Sequence, residues 1–201
     1  MHTENDSTEL RAVPENLDAW PVSAALRSDR KVGDVSSDRI AIASVLAFGR
    51  WCSGQLTFPG QVSPLTAQRL STWAPDRWLH AFPVHPANLP IPRGTNVFNL
   101  ERGTTPRREP DAPVIRSVPA AVQPTSTMHE NTVELASNAW MLETGKSDSL
   151  FSWAPHLALG VLFSEQLGVD TFRVSGINLR ECEQHRLQDL LACGGIGVEI
   201  V

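Results

Sequence analysis

Ala154-Pro155-His156-Leu157-Ala158-Leu159-Gly160-Val161-Leu162-Phe163 opens the segment on which the fold turns, Phe151 to Val201. The run is apolar enough to be a helix with no wet side. A β-like run follows at Thr171-Phe172-Arg173-Val174, then a turn at Ser175-Gly176, then a polar-faced helix pattern from Asn178 to Ala192. Gly194-Gly195 suits the end of that helix, because glycine takes the left-handed C-cap conformation without steric cost. A β-like tail, Ile196 to Val201, closes the segment. The same order stands earlier in the chain. Arg39 to Phe48 is an apolar helix pattern, Gln55 to Phe58 a strand, Pro59-Gly60 a turn, Ser63 to Trp73 a helix, and Arg77 to Val84 a strand. The chain therefore reads as a diverged internal repeat.

The chain has 201 residues, enough for one sizeable core, and its 41% hydrophobic and 19% charged content is that of a globular protein. A net charge of −5, with no basic stripe gathering the 17 Lys and Arg residues, gives no expectation of nucleic acid. Cys52, Cys182 and Cys193 form neither a disulfide framework nor a zinc pattern. Met1 to Asp6 lacks the basic and apolar start of a signal peptide, and no apolar run is long enough to cross a bilayer. No membrane association is expected, and a reducing cytoplasm is the expected location.

Residues 1–30 are polar and aperiodic, and read as an arm that docks, if at all, through Leu17, Trp20 and Leu26. Residues 31–201 read as a single domain. Gly33-Asp34-Val35-Ser36-Ser37-Asp38 offers several N-cap side chains ahead of the apolar run from Ile40 to Trp51. A helix apolar on every side must be buried on every side, so the two apolar helices are expected inside, with sheets outside them. The middle, residues 83–127, holds most of the chain's 15 prolines and reads as irregular. Within it, Asn96 to Leu100 and Pro113 to Val118 are β-like runs expected to form a hairpin around an exposed loop, Arg102 to Pro110.

Val32-Gly33-Asp34-Val35-Ser36-Ser37, the apolar helix, then Leu56-Thr57-Phe58-Pro59-Gly60, resemble the G-D-x-S-S, helix, strand, P-G stretch of the enolpyruvyl transferase family. Phe151-Ser152-Trp153-Ala154-Pro155, Leu179-Arg180-Glu181-Cys182-Glu183-Gln184-His185-Arg186 and Ile196-Gly197-Val198-Glu199-Ile200 resemble its later P-D-x-A-P, L-R-x-K-E-[ST]-D-R and L-G-x-E-V segments. The resemblance covers roughly residues 30–78 and 149–201. It implies an α/β fold, an inside-out α/β barrel-like domain of about two repeats with buried helices and outer sheets. It also implies that Glu183 is catalytic and that Arg186, Ser36 and Ser37 bind a phosphorylated small molecule. Three positions depart from the family. Ser152 replaces the aspartate that serves as catalytic base, Cys182 replaces the lysine, and His185 replaces the second aspartate. The family's last repeat and its other domain have no counterpart here.

Enolpyruvyl transfer holds two phosphorylated anions while an acid and a base move protons. Loss of one positioned proton-transfer group typically costs about two to four orders of magnitude. A chain lacking the lysine and the aspartate together is expected to be inactive alone. Read without the family, Glu183 and Arg186 lie three residues apart and suit a surface ion pair. Cys182 suits an ordinary thiol, and His80 and His85 match no metal-ligand spacing. No metal or cofactor is expected. Three readings stand: a degenerate transferase-like binding or partner subunit; one half of a split transferase completed by a complementary chain; and an α/β interaction module. The first carries an expectation of self-association or of a protein partner.

Overall fold

The computed structural model describes residues 7–15, 17–74, 76, 78–91, 93–104 and 112–201. Along the chain run β1 (Thr8–Arg11), β2 (Ala25–Ser28), α1 (Ser37–Phe48), β3 (Gln55–Val62), α2 (Pro64–Ser71), β4 (His80–Val84), β5 (Asn96–Arg102), β6 (Val114–Pro119), β7 (Thr127–His129), β8 (Thr132–Ser137), a 3-10 turn (Ala139–Leu142), α3 (Leu150–Leu167), β9 (Val169–Val174), α4 (Glu181–Cys193) and β10 (Gly197–Ile200). The architecture is mixed α/β. A large sheet has the order β1-β2-β8-β6-β5-β9-β10, with β7 also paired to β8, and a second sheet holds only β3 and β4.

Both apolar helices are buried as their sequences require. In α3 every residue from Ser152 to Ser164 is buried, and in α1 only Ser37, Ile40 and Ser44 are partly accessible. α3 packs on β5, β6 and β9, α1 packs on β3, the two helices pack on each other, and α2 packs on α4. Gly160 marks the closest approach of α3 to the large sheet. A Cβ there would come within 3.1 Å of Phe172 and 3.3 Å of Leu100. One continuous core, from Leu10 to Val198, runs through both halves of the chain.

The two similarly ordered segments each pair their strands in parallel, Gln55 with His80 and Thr171 with Gly197, the first in the two-stranded sheet and the second at the edge of the large one. Their long helices run antiparallel. Arg50, just past the end of α1, stacks over Phe151 at the start of α3, while Arg39 and the Ser36 N–H meet Glu165 near the end of α3.

Several expectations need correction. β5 and β6 are not a hairpin: they pair in parallel, Asn99 with Val114. Residues 83–127 are thus less irregular than their prolines suggest, because they carry β5, β6 and the start of β7. Of the expected loop, Thr105 to Pro110 lies outside the described residues. The arm is not merely polar. Its β1 and β2 form an antiparallel hairpin that joins the sheet at Ser28–Ser137, burying Leu10 and Leu26, whereas Leu17 and Trp20 face solvent. α4 starts at Glu181 rather than Asn178, because the Asn178 N–H is held by the Asp148 carbonyl.

Candidate functional site

The residues singled out by the resemblance fall into two groups at opposite ends of the helix pair. Ser36 and Ser37 open α1. Ser36 is the N-cap, yet its hydroxyl makes no cap bond; that oxygen is buried without a partner among the described residues, and the Ser36 N–H donates to Glu165 Oε2 at 3.0 Å. Ser37 packs over Gly60, where a Cβ would approach its Oγ to 2.5 Å. Beside them, Asp38 accepts from the Ser63 N–H and hydroxyl, and the buried Arg39 donates to the Gly194 carbonyl.

The other end gathers the starts of α3 and α4. The loop ahead of α4 is tied to the start of α3 by Asn178 N–H to Asp148 O and by Trp153 Nε1–H to Gly176 O. Glu183 and Arg186 do not pair. Glu183, at the third position of α4, reaches back to accept from the Arg180 N–H at 3.0 Å and its guanidinium at 2.9 Å. Glu183 thus caps the helix start from one side only, since a guanidinium cannot accept a hydrogen bond and the Glu183 N–H donates to the Arg180 carbonyl. The Arg180 hydrogen bonds, together with the charges of Arg180 and Arg186, hold the Glu183 carboxyl below its usual range. Arg186 instead donates to the Trp73 carbonyl at 3.1 Å. Cys182 is an exposed free thiol, and the His185 ring bonds the Glu181 carbonyl at 3.0 Å.

Ser152 sits at the centre of a buried polar cluster that the sequence reading missed. Its hydroxyl donates to Glu143 Oε2 at 2.8 Å and accepts from Arg102 Nη1 at 2.7 Å. Arg102 also bonds the Ser147 carbonyl and stacks 4.6 Å above Trp153. Glu143 Oε1 lies 2.8 Å from His156 Nε2, and Ser117 Oγ lies 2.9 Å from His156 Nδ1. Burial lowers the affinity of His156 for a proton, a bias the Glu143 hydrogen bond opposes only in part. Burial pushes the Glu143 carboxyl up, but bonds from His156 and Ser152 and the charge of Arg102 outweigh it, leaving it below its usual range. The neutral imidazole therefore donates from Nε2 to the carboxylate and accepts the Ser117 proton at Nδ1.

Serine, histidine and glutamate in this order resemble a nucleophile with its base and orienting acid. Ser117 and His156 are fully buried, however, and Ser117 also shares a hydrogen bond with Ser137 at 3.2 Å. The cluster joins strands to α3, and its serine and histidine are closed to solvent. Two cavities are described, one between residues 10–21 and α1 with β3, and one at the start of α2. None of the residues implied by the resemblance lines either of them.

No family model, curated protein or solved structure matches the chain. Among the described residues no group of three or more His, Cys, Asp or Glu side chains is placed to hold a metal ion. No helix among them is long and apolar enough to cross a membrane.

Proposed function

We propose that the chain is a degenerate enolpyruvyl-transferase-like protein, an inside-out α/β domain of about two repeats that binds a partner in the cytoplasm and does not transfer enolpyruvyl by itself. The enclosure of α1 and α3 by the strands, and the shared order and parallel pairing of the two units, support the inside-out repeat reading. The observation that carries the loss of catalysis is the antiparallel packing of α1 on α3. At a rise of about 1.5 Å per residue, the 12 residues of α1 hold its two ends roughly 18 Å apart. A single small substrate does not touch Ser36, Ser37 and the Ser152 cluster together. Glu183 and Arg186 are committed to a helix cap and to a backbone carbonyl, and Ser152 offers no base.

A partner role draws on the surface of β4. Phe82 and Val84, 58% and 41% exposed, alternate onto one outer face, and Trp78 precedes them at 68%. Exposed apolar clusters of this kind are typical of association surfaces. The partner is a second copy or a complementary chain.

Phosphate release from phosphoenolpyruvate with shikimate 3-phosphate tests the catalytic half of the reading. The expected result is no turnover above the buffer blank. Turnover that Glu183→Ala abolishes would overturn it.

A further inference from the structure

A cavity of about 230 Å³ lies where the first turn of α2 meets the loop after β4 and the end of α4. Its polar lining donates hydrogen bonds. Thr66 is fully buried and lines the cavity, and its hydroxyl has no partner among the described residues. Leaving such a hydroxyl unpaired is unfavourable, and a ligand oxygen would remove that cost. Asn88 uses its carbonyl oxygen to accept the Leu65 N–H at 3.2 Å, which leaves its NH2 to donate. Arg93 also lines the cavity and, among the described lining residues, carries the only formal charge, since burial pushes the Cys193 thiol up to about 11 and keeps it neutral. The positive end of the α2 dipole adds to these donors.

Two further features narrow the ligand. Asp38 lies behind Ser63, accepting its N–H at 2.7 Å and its hydroxyl at 2.5 Å, and its charge disfavours a second negative charge in the cavity. The remaining walls are apolar: Leu65, Leu89, Ile91 and Ala192. We propose that this cavity binds a small aliphatic monocarboxylate, its carboxylate held by Thr66, Asn88 and Arg93 and its short chain laid against the leucine and isoleucine side chains. The site shares no residue with the transferase-like positions, so it stands or falls apart from the reading above.

The test is calorimetric titration of the full chain with butyrate, butyramide and inorganic phosphate at pH 7.5. Butyrate should bind saturably, and butyramide and phosphate at least tenfold more weakly. Thr66→Val removes a hydroxyl the free protein does not use, so the variant should unfold no earlier than the parent while binding butyrate about tenfold more weakly. Arg93→Gln, at an exposed side chain, should weaken butyrate by a similar factor with folding intact. Absence of saturable butyrate binding would overturn the proposal. So would phosphate binding as tightly as butyrate, or butyrate affinity unchanged in both variants.

Discussion

Glu143 Oε2 lies 2.8 Å from the Ser152 hydroxyl. An aspartate at Ser152 would therefore set two carboxylates side by side, both within reach of Arg102. Ser152→Asp is expected to destabilise the chain by about 1–3 kcal/mol, because one guanidinium, Arg102, would then face two carboxylates. Glu143→Gln added to it should recover part of that loss. Additive effects in denaturant melts of the two single variants and the double would refute the coupling. His156 supplies a pH signature. Its folded pKa lies below the ordinary 6.5 because burial disfavours the imidazolium, so its contribution is fully present above about 6.5 and is lost as pH falls. Glu143 is depressed below 4.5 and acts in the same direction at lower pH. Between pH 7.5 and 5.5 the unfolding free energy should fall, by no more than about 1.4 kcal/mol per pH unit from this residue. His156→Gln should flatten that slope; an unchanged slope would show that the imidazole is not the group responsible.

At the scale of the element, α3 is fastened at its end as well as along its face. Gly168 closes the helix in the left-handed conformation, with φ 62°, and its carbonyl accepts the Thr95 and Asn96 N–H groups at the start of β5. Gly94 lies so close that a Cβ on it would come within 2.2 Å of the Gly168 carbonyl oxygen. Backbone cannot yield as a side chain can, so Gly94→Ala should cost about 2–3 kcal/mol. Gly160→Ala meets only Phe172 and Leu100 side chains, and its gain of about 1 kcal/mol in helix propensity should nearly cancel the repacking. Thermal melts in which Gly160→Ala is the worse of the two would show that α3 is limited by its face, not by its end. The burial of α1 and α3 was legible because a helix without a polar side has one stable environment. The parallel pairing of β5 and β6 was not, since β-like runs of five or six residues carry no direction. The Glu183–Arg186 pair failed for a local reason: the helix N-terminus offered Glu183 a nearer partner in Arg180. The Ser152 cluster was hidden because Arg102, Glu143 and His156 are far apart in sequence and match no spacing motif.

For the whole molecule, the outer surfaces differ in character. The far side of the large sheet is closed by charge, with Arg116 held between Glu101 and Glu134 at 2.8 Å each. The outer face of β4 instead shows Phe82 and Val84. Light scattering should therefore report concentration-dependent association that Phe82→Glu suppresses without a change in melting temperature. A chain that stays monomeric at millimolar concentration would remove β4 as the association face. The antiparallel embrace of α1 and α3 also has a consequence in time. More than a hundred residues separate the two helices, so during synthesis α1 leaves the ribosome well before its principal cover exists. At roughly 5–20 residues per second that interval lasts on the order of 5–20 s. Throughout it, Ile42, Val45, Leu46 and Phe48 have no α3 to bury them. The nascent first half is a natural client for a chaperone, and a pause placed before Leu150 would lengthen its exposure to proteolysis.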